Sequence, residues 1–149
     1  MITYVTGNLM ESPAVALVNT VNTVGVMGKG IALQFKKAFP HNFAVYREAC
    51  KNGELTIGKI LAVIDRDLLL GEKLILNFPT KTDWRLPSEY EYIERGLVAL
   101  RDYVINHQVK SLAIPPLGCG NGGLDWQKVK PMIADAMEGI ELPIWIYES

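Results

Sequence analysis

Short apolar runs rich in β-branched residues alternate along this chain with longer stretches whose apolar residues recur at helical spacing. Ile2–Val5 and residues 14–19 predict strands. Residues 25–30 form a glycine-rich turn, and residues 31–39, apolar at Ile31, Leu33, Phe35 and Ala38, predict a helix that Pro40 stops. A second short helix is predicted over 41–51, ended by Asn52-Gly53. Residues 59–64 and 73–78 predict two strands, and 65–71 between them is long enough for a hairpin. Ser88 reads as the N-cap of a helix over 89–107, apolar at Ile93, Leu97, Leu100, Val104 and Ile105. Residues 111–114 predict a buried strand, 126–137 the last helix and 142–147 the last strand. Pro131 predicts a kink or a later start in that last helix.

Strands that alternate with helices, and short strands without polar alternation, predict an α/β sandwich with helices on both faces. Such folds bind ligands at the carboxyl ends of the central strands. Both glycine-rich segments follow predicted strands.

The length, 149 residues, suits one domain over 1–149 and no second ordinary one. A net charge of −1 argues against an extended, sequence-independent grip on a nucleic-acid backbone, while contact with one modified nucleotide stays open. Cys50 and Cys119 form no C-x-x-C and fit neither a zinc site nor a disulfide framework, so no metal is expected. With no signal-peptide layout and no apolar run long enough for a bilayer, a cytoplasmic protein without membrane contact is expected.

Four segments can carry chemistry. Residues 19–32 leave a strand and enter a helix through Gly25, Gly28 and Gly30, so backbone N–H groups and a helix N-terminus can face an anion. This is no Walker A loop, because Ile31 follows Gly30 where that loop needs Lys-Ser/Thr. In residues 115–124, Gly118, Gly120 and Gly123 satisfy G-x-G-x-x-G. The position near the chain's end and the lack of a following acidic residue at the right spacing exclude the dinucleotide fingerprint and leave a second anion-binding loop. Two such loops facing one crevice suit a diphosphate.

Residues 77–85 close a strand and carry Lys81, which at that rim can bind phosphate, act as a base or form an imine, or simply be solvated. Thr6-Gly7-Asn8-Leu9 follows the first strand, and the Asn8 amide offers both a donor and an acceptor to an adenine edge. His41 and His107 lack partners for a metal site or a triad, and Cys119 lacks a histidine base, so a packing role suits it better. Trp84 is placed to stack on a base or to cover the core edge, and Trp126 and Trp145 read as core.

Together, in this order and spacing, the four segments resemble the macrodomain family over the whole chain. The resemblance implies a central mixed sheet sandwiched between helices, and ADP-ribose as ligand with no cofactor. It implies contacts from Asn8 and Leu9 to adenine, although most members carry Asp where Asn8 stands. It places Gly28, Lys29, Gly30 and Ile31, with Pro116, Leu117, Gly118, Cys119, Gly120, Asn121 and Gly122, around the diphosphate. Asn19, Asn22 and Thr80 would complete the site, Asn22 near the distal ribose.

Within the family, Asn77-Phe78-Pro79-Thr80-Lys81 and Leu117-Gly118-Cys119-Gly120 resemble the terminal ADP-ribose glycohydrolase branch. They resemble most the macrodomains of antitoxins that reverse ADP-ribosylation of thymidine in DNA by a toxin. That implies Lys81 and Asn22 as catalytic residues, an ADP-ribosylated single nucleotide in DNA as substrate and the cognate toxin as a partner. It also implies a domain excised from a longer chain. The acid that a protein-directed member of the branch carries in its second loop is absent from Gly120-Asn121-Gly122-Gly123, and Asp125 aligns only with a shift. Three readings stay open: glycohydrolase on DNA, glycohydrolase on protein glutamate, and a non-catalytic reader. Lys81 either attacks C1″ as a neutral amine or stays charged beside the departing base.

Overall fold

A computed structural model describes residues 1–148. Among them lie six strands, β1 (Ile2–Val5), β2 (Ala16–Asn22), β3 (Leu61–Asp67), β4 (Gly71–Lys81), β5 (Leu112–Ile114) and β6 (Ile144–Tyr147). Four helices accompany them, α1 (Gly30–Ala38), α2 (Pro40–Lys51), α3 (Tyr90–Asn106) and α4 (Trp126–Ala136). The strands form one sheet in the order β1-β6-β5-β2-β4-β3, parallel throughout except for the β3–β4 hairpin. The α/β sandwich expected from the alternation, with the mixed sheet that the resemblance implies, is the fold observed. No described helix is long and apolar enough to cross a membrane.

Side chains alternate between the two faces of a strand, and the buried centres of β2, β4, β5 and β6 are mostly apolar on both faces, so the sheet carries a core on each side. Ala16, Val18, Leu76, Phe78, Leu112 and Ile114 pack against Ile93, Leu97, Leu100 and Val104 of α3 and Val129 and Ile133 of α4. The intervening Leu17, Ile75 and Ala113 pack against Phe35 and Phe39 of α1 on the other face. Each of the large side chains removed from water contributes about 1.5–3 kcal/mol. Helix α3 approaches β4 so closely that a Cβ at Gly96 would overlap the Phe78 ring.

Element ends depart from expectation for identifiable reasons. β4 runs from 71 to 81 because it pairs with β3 on one side and β2 on the other, and the longer ladders carry polar residues that periodicity discounts. Pro40 both ends α1 and opens α2 at its first turn, where its missing N–H costs nothing. Ser88 is not the cap of α3. The cap position is Glu89, and Ser88 is buried with its N–H on the Gly122 carbonyl at 2.9 Å. Helix α4 does not start late: Asp125 accepts from the Gln127 N–H at 2.9 Å, which fixes the first turn ahead of Pro131.

Candidate functional site

The five parallel strands all end at one rim, and the loops leaving them line a single elongated cleft of about 930 Å3. Its order follows the sheet. Gly7, Asn8 and Leu9 after β1 and Tyr147 and Glu148 at the end of β6 stand at one end, and Thr80 and Lys81 at the end of β4, with Trp84 beyond them, stand at the other. The loops after β5 and β2 occupy the middle. Four inter-strand spacings of about 4.8 Å separate β1 from β4, so the ends lie about 19 Å apart.

The middle of the cleft is built from backbone donors. The N–H groups of Gly30, Ile31 and Ala32 open α1 and, among the described residues, have no backbone acceptor; Lys29 at the cap position adds no side-chain bond. In the short helical turn after β5, Gly120–Gly122, the Asn121 N–H likewise has no acceptor among the described residues. Four donors and a helix N-terminus therefore converge where an extended ligand would place its middle, and an anion is the group that satisfies them. Gly118 (φ +73°) is confined from three sides: a Cβ there would stand 2.7 Å from Leu124 Cδ1 and 3.0 Å from Ile93 Cδ1. The same loop lies against Ser88, whose hydroxyl a Cβ on Gly122 would strike.

At the β4 end the ladder is irregular. Val21 pairs with Pro79 but Asn22 pairs with Lys81, so Thr80 is an extra residue that bulges out of register. Register partners share a face of the sheet, and the bulge is what sets Lys81 beside Asn22. Lys81 is partly buried, its Nζ donates to the Trp84 carbonyl at 3.4 Å, and among the described residues it forms no ion pair.

Asn22 is a structural hub as well as a cleft residue. Its Oδ1 accepts from the N–H of Val24 (3.1 Å) and Val26 (3.3 Å), and its Nδ2 donates to the Val26 carbonyl at 2.8 Å. The buried Tyr46 hydroxyl lies 2.8 Å from its backbone oxygen and 2.9 Å from Oδ1. Burial pushes the Tyr46 phenol up, so it stays a neutral donor. One Nδ2 hydrogen is left for a ligand.

Trp84, 48 % exposed, is held from one side. The Arg85 guanidinium stands 5.3 Å from its ring centre, and Asp83 grips that guanidinium through Nε (3.0 Å) and Nη2 (2.8 Å). Those bonds hold the Asp83 carboxyl down at about 2. A second tie, Thr23 Oγ1 to the Thr82 carbonyl at 2.8 Å, fastens this loop to the one after β2.

Of the residues expected at the site, the structure brings Asn8, Leu9, Asn22, Gly28, Lys29, Gly30, Ile31, Thr80, Lys81, Pro116, Gly118, Cys119, Gly120, Asn121 and Gly122 to the cleft wall. Two do not reach it. Asn19 is fully buried under the sheet, where its Nδ2 donates to Asn77 Oδ1 at 3.2 Å, as does Nδ2 of Asn42. The Asn19 Oδ1 has no partner among the described residues, and the amide cluster joins β2, β4 and α2 away from the cleft wall. Leu117 is fully buried in the core against α3 and α4.

Asn8 keeps less freedom than its residue type suggests, because its Oδ1 accepts from the Met10 N–H at 3.0 Å, which orients the amide and leaves its nitrogen the unengaged end. Cys119 carries a thiol raised by burial first and the Asp125 charge second, which disfavours the thiolate a nucleophile needs. Asp125 itself is spent on capping α4.

Trp126 packs against the edge of the core, as expected, and also lines the cleft. It is partly buried, its Nε1 donates to Glu148 Oε1 at 3.4 Å, and Glu148 pairs with Lys130 at 2.7 Å. Gln34 and Glu148 also line the cleft, and no motif points to either.

The sequence profile of the Macro domain matches residues 18–133. A DNA ADP-ribosyl glycohydrolase of Thermus aquaticus is 54% identical over 149 residues, which is 99% of this chain and 41% of that protein. The chain thus spans about two fifths of the curated relative's length. The solved macrodomain of Mycobacterium tuberculosis DarG superposes with a TM-score of 0.94 at 50% identity, covering 99% of this chain and 97% of that one. Thermosipho africanus DarTG in complex with ADP-ribose superposes at 0.91 with 38% identity, covering 98% of this chain and 41% of that one.

Proposed function

The chain belongs to the Macro domain family, and from that membership and the geometry of its cleft we propose that it binds ADP-ribose and hydrolyses the bond that joins ADP-ribose to thymidine in DNA. The observation that carries the reading is the placing of Lys81 beside Asn22 at one end of a cleft whose middle holds the free N–H groups that open α1. The names of the relatives, a DNA ADP-ribosyl glycohydrolase and a DarTG that holds ADP-ribose, support the same reading.

In this arrangement the diphosphate lies between the α1 N-terminus and the turn at 120–122. Adenine lies toward Asn8, Leu9 and Tyr147, and the distal ribose between Asn22 and Lys81. Contacts remote from the reacting carbon hold C1″ in place, which converts binding energy into positioning. The unprotonated Lys81 amine attacks C1″ as the thymine nitrogen leaves and takes up a proton. The adduct opens to an imine between Nζ and C1″, and water hydrolyses it to free ADP-ribose and the regenerated lysine. Trp84, rigid on its Arg85 side and open toward the cleft, stacks on the departing thymine. The cognate toxin is the protein that installs the modification this reaction removes, the relation that antitoxin relatives of this branch suggest.

The test is release of ADP-ribose from an oligonucleotide carrying one ADP-ribosylated thymidine, wild type against Lys81→Ala, with an ADP-ribosylated-glutamate peptide run alongside. The expected result is release from the oligonucleotide that Lys81→Ala abolishes. ADP-ribose binding with no release from either substrate would leave a reader; release from the peptide alone would move the substrate to protein.

A further inference from the structure

A second groove of about 880 Å3 lies behind the cleft, between the loop after β2 and helices α1 and α2. Val26 and Gly28 line both spaces, so the loop at 24–28 is the wall between them. Its charge is one-sided: Lys36, Arg47 and Lys51 face it against a single carboxylate, Glu48. All three cations are exposed, and among the described residues none is in an ion pair. Arg47 and Lys51 are one turn apart on α2, about 6 Å along its axis. Phe43 lies one turn before Arg47, and its ring is 4.7 Å from Lys36 Nζ. The Arg47 stem lies against the dividing loop, 3.7 Å from where a Cβ on Gly25 would stand.

The position of the groove gives it a partner. Helix α2 is tied to the β4–β3 side of the sheet by Asn42, through Asn77 (2.8 Å) and Asp65 (2.9 Å). That is the end of the cleft where Lys81 and Trp84 stand, the end from which a polynucleotide attached to the reacting base has to leave. Lys36 and Lys51 stand in the last turns of α1 and α2, where the helix dipole favours a cation, and Arg47 adds a third charge between them. Against Glu48 alone the groove keeps an excess of positive charge in a chain of net charge −1, and a polyanion is the partner that complements it.

Resting on the glycohydrolase reading above, we propose that this groove holds the phosphodiester backbone flanking the modified nucleotide, with Lys36, Arg47 and Lys51 on successive phosphates and the loop at 24–28 separating backbone from ADP-ribose. The loop is itself held by Asn22 and Tyr46, so the strand's grip and the ribose end of the cleft share one rigid partition.

The test compares a ten-nucleotide DNA carrying one ADP-ribosylated thymidine with the free ADP-ribosylated nucleoside. The proteins are wild type, Lys36→Gln/Arg47→Gln/Lys51→Gln and a control, Lys59→Gln/Lys110→Gln, and binding is measured over a salt series. Glutamine keeps the stems, and unchanged ADP-ribose affinity verifies the fold. The triple variant is expected to lose about tenfold or more in oligonucleotide affinity, and its salt slope is expected to fall by about 0.7 for each phosphate that is no longer neutralised. Nucleoside binding and turnover should be unchanged, and the control should match wild type.

Oligonucleotide affinity and salt slope that survive the triple substitution would overturn the groove, as would wild type binding oligonucleotide and nucleoside equally. Absence of turnover on both substrates by wild type would instead defeat the glycohydrolase reading, while the binding arm would still decide the groove.

Discussion

The side-chain nitrogen of Asn121 lies 3.3 Å from the point where a Cβ on Gly30 would stand, so the turn after β5 and the first residue of α1 meet over the middle of the cleft. The first three N–H groups of α1 and the Asn121 N–H lie in that region, and the contact fixes the spacing between them. Gly30 also sits at φ +57°, in the left-handed region that costs other residues about 1–2 kcal/mol. Gly30→Ala is therefore expected to push the two loops apart and weaken ADP-ribose binding by about 5- to 30-fold, the equivalent of that strain. Isothermal titration measures it. Affinity within twofold of wild type would mean that the loop spacing does not matter.

If Lys81 attacks C1″, the imine that follows is reducible. Borohydride added during turnover is expected to leave a stable ADP-ribose adduct on Lys81, located by mass spectrometry of the digested protein, and to inactivate the enzyme. Lys81→Arg keeps the charge but not the nucleophile. Full activity of that variant, or no adduct in wild type, would point to a purely electrostatic role.

If Trp84 stacks on the departing base, it distinguishes a nucleobase leaving group from a carboxylate. Base–aromatic stacking is worth about 1–3 kcal/mol, so Trp84→Ala is expected to raise KM for the ADP-ribosylated nucleoside by about 5- to 150-fold. Trp84→Phe should recover part of the loss, and cleavage of any ADP-ribosylated glutamate ester should not change. Equal losses on both substrates would make the tryptophan a general support of the loop.

Cys119 lines the cleft but has its thiol raised by burial and by Asp125. Both causes disfavour the thiolate, so alkylation is expected to be slow at neutral pH and to accelerate at a higher pH than for a free thiol. Asp125→Asn, which still caps α4, should shift that profile to lower pH. Cys119→Ala should turn over within a few-fold of wild type.

The core and the cleft's main loops were legible because they are dictated locally. Leu17 against Ala16 and Val18 sorts by the period of a strand, and the glycines at 28, 30, 118 and 120 lie between a strand and a helix or turn. The resemblance supplied the part that residue type alone could not, the role of Lys81. What stayed hidden depends on partners distant in sequence. Asn19 and Asn22 are the same residue type three apart on one strand, yet one closes a buried cluster with Asn42 and Asn77 and the other reaches the cleft. Trp126 has the helical spacing of a core residue, and only the chain's last described residues, Tyr147 and Glu148, turn its position into a cleft wall. The cations at 36, 47 and 51 come from two helices, so nothing in their spacing joins them before the helices pack.

Thr80 gives this protein a constraint of length as opposed to chemistry. Were the ladder unbroken, Thr80 would stand opposite Asn22 and the lysine would be displaced along the strand with its face reversed. Between Asn77, pinned in the buried amide cluster, and Lys81 the chain has to count an irregular number of steps. Substitutions there can be absorbed: Thr80→Ser keeps the count and should keep activity. Deletion of Thr80 would instead leave the lysine next after Pro79, in regular register opposite Asn22 and on the same face, so it is expected to keep turnover, whereas one residue inserted between Thr80 and Lys81 carries the lysine off that partner and is expected to abolish it. Over evolutionary time such a segment can change its letters and shed the extra one, but not gain another.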